Sequence, residues 1–129
     1  MNEIRMGRIS HEMRRVLSDT ILHHLKDPKI SAHISVSEVR VSSDLSLATV
    51  YVAVFGTEWE KRQTIEGLSG ASGYLKKVLA GEMRLRVMPE LRFVLDESIE
   101  HGMYMDQLIA ETLKKDQENQ RARGEENEE

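Results

Sequence analysis

Gly67, Gly70 and Gly73 stand at three-residue spacing inside an apolar pattern of helical period made by Ile65, Leu68, Leu75, Val78, Leu79 and Met83. Each glycine costs about 1 kcal/mol against alanine in a helix interior. The spacing therefore predicts a helix that kinks, or splits in two, around Gly70-Ala71-Ser72-Gly73. A second helix starting near Ser72 would expose unpaired N–H groups and the positive end of its dipole, with Lys76 and Lys77 following and Arg84 and Arg86 beyond. An interrupted helix that turns basic is a candidate phosphate site. The other reading is that the small residues only let a helix lie close to a sheet, and spacing alone leaves both open.

The 129 residues, 40% of them apolar, suffice for one ordinary core and do not call for two. Cysteine is absent, which removes disulfides and thiolate chemistry. With no apolar run of membrane length and no basic-apolar leader, a cytoplasmic protein with no membrane partner is expected. The net charge of −4 is unevenly spread: residues 1–92 hold 14 Lys/Arg against 11 Asp/Glu, and residues 93–129 hold 4 against 11. A mildly basic body with an acidic end suits a protein with one face on a polyanion.

Along the chain, Ile9, Met13, Val16, Leu17, Ile21 and Leu25 predict an amphipathic helix from about Ser10 to Leu25, ended by Asp27-Pro28. Arg5, Arg8, Arg14 and Arg15 lie at and before its first turns, where the dipole disfavours cations, so they too are candidate anion contacts. Ile34 to Val41 alternates as a strand whose phase slips between Val36 and Val39, as at a bulge. Ser42-Ser43-Asp44 is a turn, and Leu47 to Phe55 is a second, β-branched strand. Thr57 and Glu60 have the spacing of a capping box for the interrupted helix. Leu91, Phe93 and Leu95 mark a third strand after Pro89-Glu90, and Met105, Leu108, Ile109 and Leu113 a short last helix ending near Asp116. From Gln117 to Glu129 only Ala122 is apolar, so residues 117–129 are expected to be a disordered acidic tail on a domain of residues 1–116.

Helix, two strands, broken helix, strand and helix make an α+β fold, a three-stranded mixed sheet covered by helices, with the third strand expected beside the first. The order is that of a type II K-homology domain, which grips nucleic acid backbone at a glycine-rich turn between helices. The strings Leu25-Lys26-Asp27-Pro28, Val36-Ser37-Glu38-Val39-Arg40-Val41-Ser42-Ser43-Asp44-Leu45, Ala48-Thr49-Val50-Tyr51-Val52, Ala71-Ser72-Gly73, Met83-Arg84-Leu85-Arg86 and Pro89-Glu90-Leu91 resemble bacterial ribosome-binding factor A, from about Arg5 to Asp116. The resemblance implies a K-homology-like fold in which Ala71, Ser72 and Gly73 form a kink in place of the usual loop, with Lys76, Lys77, Arg84 and Arg86 facing ribosomal RNA. It implies an assembly factor for the immature 30S subunit, acting through 16S rRNA and assisting its late maturation, including processing of the 16S 5′ end. The implied partners are the small subunit, with its rRNA and neighbouring ribosomal proteins, and a GTPase for release; the chain is expected to act as a monomer.

Lysine and arginine here would neutralise phosphates, and no base-reading side chain is evident. Tyr51, Phe55 and Phe93 fall in strand patterns that suit a core, leaving Trp59 and Tyr74 as candidate stackers. His11, His23, His24, His33 and His101 show no metal-ligand spacing, and no triad, phosphate loop or dinucleotide fingerprint is present. Neither an enzyme nor a cofactor is therefore expected. The alternative in another class is a protein-interaction module using the acidic C-terminal region or a strand edge.

Overall fold

The second strand, β2 (Leu47–Val54), organises the molecule because alternate residues Ala48, Val50, Val52 and Val54 are buried along its length. The architecture is that of a computed structural model, which describes the backbone of residues 3–127 and the side chains of residues 4–123. The first strand, β1 (Ile34–Val41), pairs antiparallel with β2, and the third, β3 (Glu90–Leu95), pairs parallel with β2 on its other side. The expected place for β3 beside β1 is thus corrected: the order is β1-β2-β3. The physical reason lies in composition. Exposed Ser35, Ser37, Glu38 and Arg40 in β1 are edge-strand residues, whereas β2 is apolar enough to be paired on both sides.

The bulge expected in β1 lies between Val36 and Glu38. Its extra residue, Ser37, brings a hydroxyl to 2.6 Å from Asp96 Oδ2 and 3.1 Å from the Tyr51 carbonyl oxygen. Phe93 is buried as expected, but Tyr51 is only partly covered, its ring lying 5.5 Å from the Arg40 guanidinium, and Phe55 at the strand end is exposed.

One face of the sheet is covered by helices. The first, α1 (Glu3–His23), sets Met13, Val16, Leu17 and Ile21 into the core. It begins earlier than expected, because the apolar period runs back through Ile9 to the partly buried Met6, and the intervening arginines are good helix formers. Arg5 and Arg8 consequently lie on the helix itself.

Helix α2 (Glu58–Gly70) starts at the expected capping box, with Thr57 Oγ1 accepting from Glu60 N at 3.1 Å and Glu60 Oε1 accepting from Thr57 N at 3.3 Å. Buried Thr64 donates to the Glu60 carbonyl oxygen at 2.8 Å and accepts from Ser31 N at 3.1 Å, which ties the loop after α1 to α2. Helix α3 (Ser72–Glu82) buries Leu75 and Leu79 completely, each worth roughly 1.5–3 kcal/mol.

Residues 1–96 form one compact unit and residues 97–129 a second. The second contains helix α4 (Ser98–Asn127), a single helix of 30 residues instead of a short one ending near Asp116. The sequence beyond Asp116 lacks apolar period, but its glutamate, glutamine and arginine are all favourable in helices. Glu128 and Glu129 lie outside the described residues.

Candidate nucleic-acid interface

A single residue separates α2 from α3. Ala71, at φ −92° and ψ 3°, ends one helix and starts the next. Its N–H reaches the carbonyl oxygens of Gly67 and Leu68, each at 3.1 Å, and its own carbonyl oxygen accepts from Leu75 N at 3.0 Å. No side chain caps α3, so its first turn relies on backbone and solvent for partners. The break falls where the glycine spacing predicts it.

The three glycines have different reasons. A Cβ on Gly67 would stand 2.8 Å from Ile30 Cγ1 and 3.1 Å from Lys29 Cβ, so this glycine permits close packing. A Cβ on Gly70 or Gly73 would meet nothing within 4 Å. Both are exposed, and no contact within the described residues asks for glycine there. Two open glycines flanking a kink leave a stretch of backbone that another chain's backbone can approach closely. Tyr74, half exposed, stands directly after them.

The basic residues do not gather at the kink. Lys76 is held by Glu90 at the start of β3, with Nζ 2.6 Å from Oε1, and serves to fasten α3 to the sheet. Lys77 is exposed and, among the described residues, without an ion pair, about 9 Å along the axis from Ala71. Arg84 and Arg86 follow the far end of α3, about 16 Å from its start. There Arg84 and Arg8 of α1 line one shallow depression of about 290 Å³ with Ile9, Glu12, Glu82, Met83 and Leu85. The sequence names both arginines but not Ile9 or Leu85 as neighbours, which only the packing of α1 on α3 reveals.

On α1, Arg5, Arg8 and Arg14 are exposed and free of ion pairs among the described residues. Arg15 is bound to Glu12, Nη2 to Oε1 at 2.6 Å. That bond holds the Glu12 carboxyl below its ordinary range and raises the guanidinium further. His23 and His24 both stand 3.9 Å from Asp19 at the surface. In the turn between β1 and β2, hydroxyls of Ser46 and Ser42 and the Ser46 N–H converge on Asp44, lowering its pKa to about 2. This is turn chemistry, and it lets buried Leu45 adopt φ +62°.

The structure thus shows a kink without a side-chain cap, two open glycines beside it, and cations along α1 and α3 that have no ion pair among the described residues. The profile of the ribosome-binding factor A family matches residues 5–109. The chain belongs to the ribosome-binding factor A family.

Ribosome-binding factor A of Acetivibrio thermocellus is 47% identical over 108 residues, covering 84% of this chain and 88% of the relative. That of Finegoldia magna is 47% identical over 110 residues, covering 84% and 91%. The crystal structure of ribosome-binding factor A from Thermus thermophilus superposes with a TM-score of 0.63 at 31% identity, covering 70% of this chain and 93% of that one. The fold is thus that of the family, and the K-homology-like order is retained. A homology model of the Thermus thermophilus factor, fitted into a cryo-EM map of a 30S complex, matches with a TM-score of 0.57 at 31% identity, covering 68% and 91%.

Proposed function

We propose that this chain binds the free or immature 30S subunit in the cytoplasm and assists its late maturation, including 16S 5′-end processing, without catalysing a reaction. The Thermus thermophilus relative fitted into a 30S complex carries the reading, since this chain has the same fold. In this proposal the backbone at Ala71, Ser72 and Gly73, opened by Gly70, meets rRNA backbone. Lys77 neutralises phosphate nearest the kink, and Arg84, Arg86, Arg5, Arg8 and Arg14 neutralise phosphates farther along the bound RNA. Lys76 and Arg15 act first as structural cations, through Glu90 and Glu12. Residues 1–116 supply the binding, and residues 117–129 are an acidic spacer. A binder of this kind advances maturation only by holding one rRNA conformation more tightly than another.

The test is sedimentation of the purified chain with free small subunits, large subunits and joined ribosomes at two salt concentrations. The expected result is co-sedimentation with free small subunits alone, weakened by salt. Absence of binding to every particle would overturn the proposal.

A further inference from the structure

Away from the kink, the first turn of α2 and the loop after α1 enclose a cleft of about 500 Å³, lined by Pro28, Lys29, Ser31, Trp59, Glu60 and Gln63. Trp59, the chain's one tryptophan, is 63% exposed at its wall, an unusual position for the most costly aromatic to leave in water.

We propose that this cleft receives a lysine or arginine side chain from a basic polypeptide segment, seated on the Trp59 ring and held by Glu60. The chemistry of the walls favours a cation. The lining holds one carboxylate, Glu60, and one cation, Lys29, whose Nζ is already taken by Glu66 outside the cleft, 3.0 Å from Oε1. Neither Lys61 nor Arg62 lines the cleft. Glu60 uses Oε1 for the capping box, and its Oε2, like the Gln63 side-chain amide, has no hydrogen-bond partner among the described residues. A tryptophan face beside a free carboxylate oxygen is a cation–π and ion-pair seat combined. RNA fits poorly. The α2 N-terminus, which could otherwise bind an anion, is closed by Thr57 and Glu60, and the one cation of the lining, Lys29, is engaged by Glu66.

The inference rests on the proposed small-subunit reading only for where such a segment is met, on a basic ribosomal protein. The molecule then presents different chemistry on two surfaces: cations along α1 and α3 for rRNA, and an aromatic cleft with one free carboxylate oxygen for protein.

Because Trp59 is the only tryptophan, its emission reports the cleft directly. The full chain is titrated with an arginine–glycine nonapeptide and, separately, with a single-stranded oligouridylate. The peptide should change the emission saturably, with affinity lowered about tenfold in Glu60→Gln, which keeps the capping hydrogen bonds, while the oligouridylate leaves it unchanged. A response to the oligouridylate but not the peptide would overturn the proposal in favour of base stacking. Silence to both, or equal peptide affinity in Glu60→Gln, would overturn it outright. In parallel, folded Trp59→Ala should sediment with small subunits several-fold more weakly than the unaltered chain. Equal binding by the two would refute the cleft alone, and failure of the unaltered chain to bind would refute the functional reading instead.

Discussion

Gly67 and the pair Gly70 and Gly73 belong to one sequence pattern and have opposite surroundings. Gly67 faces Ile30 and Lys29 at distances that exclude a methyl group, whereas the other two face open space. On the closed side, the helix pair is fixed by Thr64, Leu68, Leu75 and Leu79, all fully buried. On the open side stand an uncapped helix start, exposed Tyr74 and unpaired Lys77. The difference separates what holds the kink in place from what the kink presents. The same division runs through the lysines: Lys76 is bound to Glu90 on the sheet, while its neighbour Lys77 points about 100° away around α3.

Gly67→Ala gives the largest expected effect on the fold. The added methyl must displace Ile30, costing about 1–3 kcal/mol and lowering Tm by several degrees in a thermal melt. A melt of Gly67→Ala that matches the unaltered chain would erase the closed side of the comparison. Simultaneous Lys77→Glu, Arg84→Glu and Arg86→Glu comes next. It should weaken small-subunit binding roughly 10- to 100-fold and flatten the dependence of log K on log salt by about 2 units, at nearly unchanged Tm. Lys76→Ala sharpens the contrast, since loss of the Glu90 pair should lower Tm slightly, by less than about 1 kcal/mol of stability, and leave the salt slope alone.

The smallest effect concerns Asp44. Its pKa is lowered from 3.8 to about 2 in the folded chain by hydrogen bonds from Ser46 and Ser42, so the ionised carboxylate favours the fold. That contribution is fully present above pH 3.8 and disappears as pH falls through 2. Acid titration of stability should therefore show a step between pH 4 and 2 in the unaltered chain that Asp44→Asn lacks.

Local signals were legible in the sequence. The phase slip at Val36 to Val39 marked the bulge, Thr57 and Glu60 marked the capping box, and the glycine spacing marked the break at Ala71. Each depends on residues within a few positions of one another. Features that depend on distant residues were not legible. The neighbour of β3 is decided by which strand can be paired on both edges, and the role of Lys76 by Glu90, 14 residues away. That Arg8 and Arg84 line one depression follows from the packing of α1 on α3, and the reasons for the three glycines from what each one faces. Helix α1 extends beyond its expected start along an apolar period that runs back to Met6, and α4 beyond its expected end through polar helix formers that give no such period.

The open glycines are the heart of the proposed RNA contact, and one variant addresses them without touching charge. Gly70→Leu with Gly73→Leu places side chains into space that holds no protein atom within 4 Å of either Cβ, at backbone angles that L-residues accept. Affinity for purified small subunits, measured beside Tm, should fall at least about tenfold while Tm is held or rises slightly. Unchanged affinity in the folded double variant would contradict the kink as the surface that meets rRNA.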